Sequence, residues 1–234
     1  MNGSRMRIGA GVLLLGGLAL MLTGALTSCS TPNALSGHTI TAVAAGGSHS
    51  LALEDNGTVW ACGYNAHGQI GNATSGTDVL TFIAVAALSG HTITALAANG
   101  WHSLALEDNG SAWAWGYNAH GQIGNGASGT DVLTPSAVAA LSGHTITALA
   151  AGSEQSLALE DNGTVWAWGY NGHGQIGNGA SGTDVLTPTA VAALSGHTIT
   201  AIAAGSGDSL ALDDNGSVWA WGDNAHGQIG NGAS

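Results

Sequence analysis

The sequence predicts an all-β fold: a β-propeller of four repeats forming an incomplete, open ring, preceded by a signal-peptide helix. Three observations carry this expectation. Trp60, Trp113, Trp166 and Trp219 recur every 53 residues, and nearly everything between them recurs in phase. Each unit holds short apolar runs of period two, separated by Gly, Asn and Asp, which is the signature of strands joined by tight turns. A period near 50 residues belongs to propellers and solenoids, whose units bury their faces only against a neighbouring unit.

The N-terminus differs from the array. Arg5 and Arg7 precede the apolar run of residues 8–26, which leads into Leu26-Thr27-Ser28-Cys29. Charge, apolar core and small residues in that order make an export signal. The last four resemble the bacterial lipobox, cleaved before a Cys that becomes lipid-modified. Residues 1–28 are therefore expected to be a lipoprotein signal peptide and Cys29 the lipidated first residue of an exported protein. Its only membrane attachment, to the cell membrane or outer membrane, would be that lipid. An uncleaved anchor is the alternative, because a run of 19 residues nearly spans a bilayer. Residues 29–37 form a tether, and the repeats occupy 38–90, 91–143, 144–196 and 197–234, the last without its tail.

Within the first repeat, residues 39–44 alternate Ile40, Ala42 and Ala44 with Thr and Val, as expected of a strand buried on both faces. Residues 50–53 and 58–63 flank Glu54-Asp55-Asn56-Gly57, where Asn-Gly supplies the positive φ of a tight hairpin. Leu51 and Leu53 share one face of the second strand, and Trp60 and Cys62 share one face of the third. A Gly-rich loop, Gly68-Gln69-Ile70-Gly71-Asn72, leads to a fourth strand over residues 79–86. Four antiparallel strands per unit make a propeller blade.

Both basic residues other than histidine lie at positions 5 and 7, so residues 29–234 carry all 14 acidic residues and no Lys or Arg. A surface without such cations cannot neutralise phosphates, which excludes nucleic-acid binding as a main activity. The same lack excludes a polybasic membrane patch and the Lys and Arg clamps of phosphoryl transfer. A partner steered by charge is therefore a protein with a neutral or basic surface.

Differences between the copies gather in one tetrad between the first and second strands: Gly46-Gly47-Ser48-His49, Asn99-Gly100-Trp101-His102, Gly152-Ser153-Glu154-Gln155 and Gly205-Ser206-Gly207-Asp208. Loops on a rigid scaffold carry binding residues, and an exposed Trp is a common interface anchor. Ser48, His49, Trp101, His102, Glu154, Gln155 and Asp208 are thus the candidate partner contacts, with drift in a tolerant loop as the alternative. His49, His102 and Glu154 are the one constellation suited to zinc. The other histidines, His38, His67 and their equivalents, are expected to bond within their own blades, and no metal or cofactor is expected. Carboxylate pairs such as Glu54 and Asp55 serve the hairpin turn rather than acid–base chemistry or calcium. Asn56-Gly57-Thr58 matches a glycosylation acceptor but reads as turn. The Trp pairs fill space between blades, a sugar-stacking platform being the alternative. Cys62 stands in the slot of Trp115, Trp168 and Trp221 as a small apolar substitute, with nothing cationic nearby to make it reactive. No nucleophile has a neighbouring base, so an enzyme is not expected.

The runs H-S-L-A-L, D-N-G, W-x-W-G-x-N and H-G-Q-I-G-N-G, recurring over residues 38–234, resemble the repeats of the regulator of chromosome condensation family. That resemblance implies a β-propeller, usually of seven blades. Its members include a nucleotide exchange factor for the small GTPase Ran, a plant UV-B photoreceptor and a secreted bacterial inhibitor of β-lactamase, so it implies a scaffold and no particular chemistry. Trp101 falls where the photoreceptor's motif has Arg, and export separates the chain from any cytosolic GTPase. Four copies are too few for a seven-bladed ring. Either the chain is part of a longer array, or it closes the ring by self-association. The expected function is an extracytoplasmic, membrane-tethered protein-binding module acting through the tetrad loops. A purely structural or adhesive array is the second reading, and a hydrolase a distant third.

Overall fold

The structure is a computed structural model and describes residues 35–233. The expected signal helix, Cys29 and most of the tether lie outside the described residues. Among the described residues no helix is long and apolar enough to cross a membrane.

The strands are β1 (Ile40–Ala45), β2 (His49–Glu54), β3 (Val59–Gly63) and β4 (Val79–Ala84) in the first blade, then β5 (Ile93–Asn99), β6 (His102–Glu107), β7 (Ala112–Gly116) and β8 (Val132–Ala137) in the second. The third blade holds β9 (Ile146–Ala151), β10 (Gln155–Glu160), β11 (Val165–Gly169) and β12 (Val185–Ala190), and the fourth holds β13 (Ile199–Ala204), β14 (Asp208–Asp213) and β15 (Val218–Gly222). Each sheet is an antiparallel meander in sequence order, with four strands in the first three and three in the last. The fourth strand ends two residues earlier than expected, because residues 86–88 turn into a short 3-10 helix that seats Leu88 in the core.

The hairpin forms as the sequence dictates: Gly57 takes φ +86°, and Asn56 Oδ1 accepts the Thr58 N–H at 2.9 Å. The pleat then sorts the side chains. Leu51 pairs with Ala61 and Leu53 with Val59 on the face toward the next blade, while Ser50 pairs with Cys62 and Ala52 with Trp60 on the other. Blade one's forward face and blade two's rear face meet in one core of Leu51, Leu53, Val59, Ala61, Ile70, Val85, Leu88 and Ile93 with Ala105 and Trp115. Two further cores of the same make-up join blades two to three and three to four. The hydrophobic interior is thus a series of joints, and successive first strands lie against one another along the inner side of an open arc.

A loop carbonyl organises each joint. Between β3 and β4, Asn65 Oδ1 accepts the Ile70 N–H at 3.2 Å and Gln69 Oε1 accepts the His67 N–H at 3.0 Å, which tightens the Gly-rich loop and points the Gln69 carbonyl outward. The next blade answers with two donors: Trp115 Nε1 at 2.8 Å and Ser103 Oγ at 3.0 Å. Gln122 O takes Trp168 and Ser156, each at 2.8 Å, and Gln175 O takes Trp221 at 2.8 Å and Ser209 at 3.0 Å. The indole lies so close over the loop that a Cβ on Gly124, itself at φ +76°, would stand 2.8 Å from Trp168 Nε1.

Two expectations need correction. β1 is not buried on both faces, because among the described residues no blade covers the rear of the first sheet: Val43 of β1 is 77% exposed and Leu80 of β4 89%. For the same reason Cys62, in the Trp slot, is only half-buried, and burial pushes its thiol pKa up. Within each Trp pair the roles are also unequal. Trp168 is fully buried in the joint, whereas Trp166 is half-buried, its Nε1 donating to Glu160 at 3.0 Å and its ring set 4.6 Å from that of His144.

Trp168→Ala is therefore expected to cost about 3 to 5 kcal/mol through cavity and lost burial, and Trp166→Ala on the order of 1 to 2 kcal/mol. Urea unfolding of the two variants, compared at midpoint and slope, checks this. Equal losses would show that the joint does not depend on the buried indole.

Candidate functional site

The tetrads open on one face of the arc, beside the β3–β4 loops, since the Tyr64 N–H bonds Ser48 O at 2.8 Å. They also ride on one another. The Gly47 N–H reaches Gly100 O at 2.8 Å, Gly100 packs on Ser153 O with no room for a side chain, and Ser153 Oγ bonds Ser206 Oγ at 3.1 Å. The candidate contacts divide by tetrad position. At the third position Ser48, Trp101 and Glu154 stand on the open face, and Trp101 is 41% exposed.

The fourth position overturns the expectation. His49, His102, Gln155 and Asp208 are the first residues of β2, β6, β10 and β14, and the first three are buried. His49, His102 and Gln155 are pegs between blades and are not available to a partner, while Asp208 is half-buried. His49 Nε2 lies 2.8 Å from Ser103 Oγ and His102 Nε2 lies 3.0 Å from Ser156 Oγ, each reaching into the following blade. Gln155 Nε2 reaches forward likewise, to Gly205 O at 3.3 Å and Asp208 O at 3.2 Å.

A histidine beside a serine is the geometry of nucleophile and base, but here the proton runs the wrong way. The serine hydroxyls donate to Gln69 O and Gln122 O, so each histidine must donate from Nε2. Nδ1 is then the bare nitrogen, and it is buried without a protein partner in both residues. Burial lowers the His49 pKa to about 4; burial, then the His49 charge, lowers that of His102 to about 3. Both rings are therefore neutral struts. With both Nε2 atoms committed, and Glu154 3.8 Å from His120 Nε2, the three residues considered for zinc share no site. Among the described residues no group of three His, Cys, Asp or Glu is placed to hold a metal.

The open face holds residues that the sequence reading passed over. His67 was expected to bond within its own blade, yet its Nδ1–H donates to Asp131 Oδ2 of the next blade at 2.9 Å. Its ring stacks on Trp101 with centroids 5.3 Å apart and meets Tyr117 edge-on at 4.7 Å, with Tyr64 at 6.3 Å. His120 repeats the arrangement one blade on, with Asp184 at 2.8 Å and Tyr170 at 4.8 Å. Burial raises the Tyr117 pKa, and the negative charges of Glu154 and Asp131 raise it further. The signal was present as a fixed separation of 64 residues, one period plus 11, between each of these histidines and its aspartate. On the opposite face His38, His91 and His144 do bond within their own repeats, each donating to a carboxylate 2.8 to 2.9 Å away. The His38 hydrogen bond leads in holding the Glu54 pKa below its usual value.

The pegs make stability depend on pH. Both histidines have folded pKa values depressed below the unfolded 6.5, so the unfolded chain binds more protons between them. Their contribution is complete above pH 6.5 and is lost as pH falls toward 4 and 3, at up to about 1.4 kcal/mol per pH unit for each ring. Melting temperature measured from pH 7.5 to 5 should fall, and the double substitution His49→Gln with His102→Gln, copying Gln155, should flatten that fall. An unchanged slope would show that the rings are not the cause.

The sequence profile of the RCC1-like domain matches residues 8–234. The chain is 35% identical over 213 residues to the E3 ubiquitin-protein ligase HERC2 of Homo sapiens, covering 88% of this chain and 4% of that protein. It is 32% identical over 201 residues to the ultraviolet-B receptor UVR8 of Arabidopsis thaliana, covering 86% of this chain and 45% of that one. It thus spans less than half the length of these relatives. Human WBSCR16 superposes with a TM-score of 0.73 at 25% identity, over 82% of this chain and 49% of its own. Yeast RCC1 (Prp20), crystallised bound to Kap60, gives 0.68 at 25% identity, over 80% and 44%. Repeat period, blade topology and a match along nearly the whole length agree, and the chain belongs to the RCC1-like domain family.

Proposed function

We propose that the chain is a protein-binding module that engages its partner through the face bearing the tetrads and the β3–β4 loops. The observation that carries this is the third tetrad position. Ser48, Trp101, Glu154 and Gly207 differ in every copy on a scaffold otherwise repeated almost unchanged, and there they place an exposed indole and a carboxylate. Binding surfaces vary where the fold does not dictate. The complex of yeast RCC1 (Prp20) with Kap60 supports the reading, as a relative that binds a protein. The module is further proposed to be exported and held at a bacterial membrane through lipid on Cys29, on the strength of Arg5, Arg7, the apolar run and Leu26-Thr27-Ser28-Cys29.

A second reading, an array that acts as scaffold or self-associates, is favoured by one observation. Val43 and Leu80 on the first blade, and Val218 at 68% and Leu212 at 38% on the fourth, expose apolar surface that a neighbouring blade covers elsewhere. Another copy, or further blades continuing the array, would cover it.

The two readings part on one experiment. The triple variant Trp101→Ser, Glu154→Ser, Gly207→Ser gives every blade the residue of copy one while leaving the buried pegs in place. A partner captured by the wild-type protein is expected to bind the variant at least tenfold more weakly. Undiminished binding would favour the scaffold. For export, intact-mass spectrometry should find a diacylglyceryl group on Cys29 that Cys29→Ser lacks; its absence from the wild type would refute the anchor.

A further inference from the structure

We propose that Trp101, Tyr117 and Glu154 form a receiving site for one arginine side chain of the partner protein. This rests on the reading of the tetrad face as the binding face.

The geometry begins with the tetrad contacts. Gly100 is seated directly on Ser153 O, which joins the two tetrads that carry Trp101 and Glu154, and Tyr117 links them: its ring lies 5.4 Å from that of Trp101 and the Glu154 charge acts on its hydroxyl. Trp101 is fixed in orientation. One face stacks on His67 at 5.3 Å and 25° between planes, and Tyr117 stands perpendicular to it at 5.4 Å and 87°. His67 is itself held by Asp131, so the indole rests on an anchored ring and still leaves 41% of the residue exposed. A rigid aromatic surface of this kind loses little entropy when it receives a guest.

The charge around it is one-sided. Asp131 is already engaged, by His67 Nδ1 at 2.9 Å and by the Asn118 N–H at 3.1 Å. Glu154 differs: its contact with His120 Nε2 is 3.8 Å, too long for a hydrogen bond, and His120 gives its Nδ1 proton to Asp184 at 2.8 Å. Residues 35–233 contain no Lys or Arg to approach Glu154, so within this domain no strong cation meets its carboxylate. A second copy of residues 29–234 has none to offer either. Raised in pKa by burial and by these two carboxylates, the Tyr117 hydroxyl keeps its proton and lies in the same negative field.

Guanidinium fits this combination better than ammonium. It is planar and weakly hydrated, so it can lie on an indole face, and its fork of N–H donors matches a carboxylate such as that of Glu154. A lysine would gain the charge attraction without the stacking or the paired hydrogen bonds.

The test uses the full-length chain and three labelled peptides, (Arg-Gly-Ser)3, (Lys-Gly-Ser)3 and (citrulline-Gly-Ser)3, citrulline being the neutral near-isostere of arginine. Fluorescence anisotropy at 50 and 150 mM salt reads the affinities. The arginine peptide is expected to bind about tenfold or more tightly than the citrulline peptide and several-fold more tightly than the lysine peptide. Trp101→Ser and Glu154→Gln should each weaken it about three- to thirtyfold. Ser48 at the equivalent position of the first blade shows that the tetrad tolerates serine, and melting temperature verifies the fold. Equal binding of arginine and citrulline peptides, or of arginine and lysine peptides, would overturn the assignment. So would an arginine peptide that binds both variants as well as wild type, which is attraction to general acidity only. If the captured partner is lost on the triple variant while no arginine peptide binds, the face stands as the binding face and the arginine site fails.

Discussion

One backbone carbonyl per joint, that of Gln69, Gln122 or Gln175, governs how the blades meet. It receives an indole N–H and a serine hydroxyl from the following blade, both within 3.0 Å. A buried carbonyl left unpaired would cost more than a typical bond gains, so each blade can dock in only one orientation and at one distance. The cost of misplacement is raised again by the glycine beneath the indole, where any side chain would collide with the ring. The apolar cores then fill around a spacing already set by hydrogen bonds.

That constraint separates two kinds of position along the chain. Residues that touch the joint recur almost without exception, because a change at one would have to be answered in the next blade. The third tetrad position touches nothing that the joint requires, so Trp101 and Glu154 stand where Ser48 and Gly207 also fit. Variation on the open face is a consequence of rigidity below it. The fourth position mixes the two kinds: the histidine of His49 and His102 gives way to Gln155, yet each reaches a polar atom of the next blade.

Much of the fold was legible because it is local. Asn56-Gly57 marks its hairpin, the alternation of Leu51 and Leu53 marks its strand, and the 53-residue spacing marks the array. What escaped was contact across the period. His49 sits one residue past a run of Gly and Ser and so looks like loop, but the ladder to Gly63 draws it into β2 and under the next blade. His67 bonds to an aspartate 64 residues away, and no local pattern couples the two. The face was legible from Trp101, while the ring lattice that supports it depends on Tyr64, Tyr117 and Tyr170, whose recurrence alone does not tell a loop filler from a platform.

Because every joint presents the same acceptor forward and the same donors to the rear, the array is blind to its own length. Excision of residues 91–143 would bring the Gln69 carbonyl to Trp168 and Ser156, which are the same donor types that it meets now in Trp115 and Ser103. Unequal crossing-over between such similar stretches of a gene would therefore add or remove whole blades without leaving a faulty seam. Only at the first copy is the coupling interrupted, since Cys62 offers no indole N–H to a blade behind it. Growth by duplication of an inner repeat is chemically neutral, whereas a blade appended behind the first would have its loop carbonyl met by a serine alone.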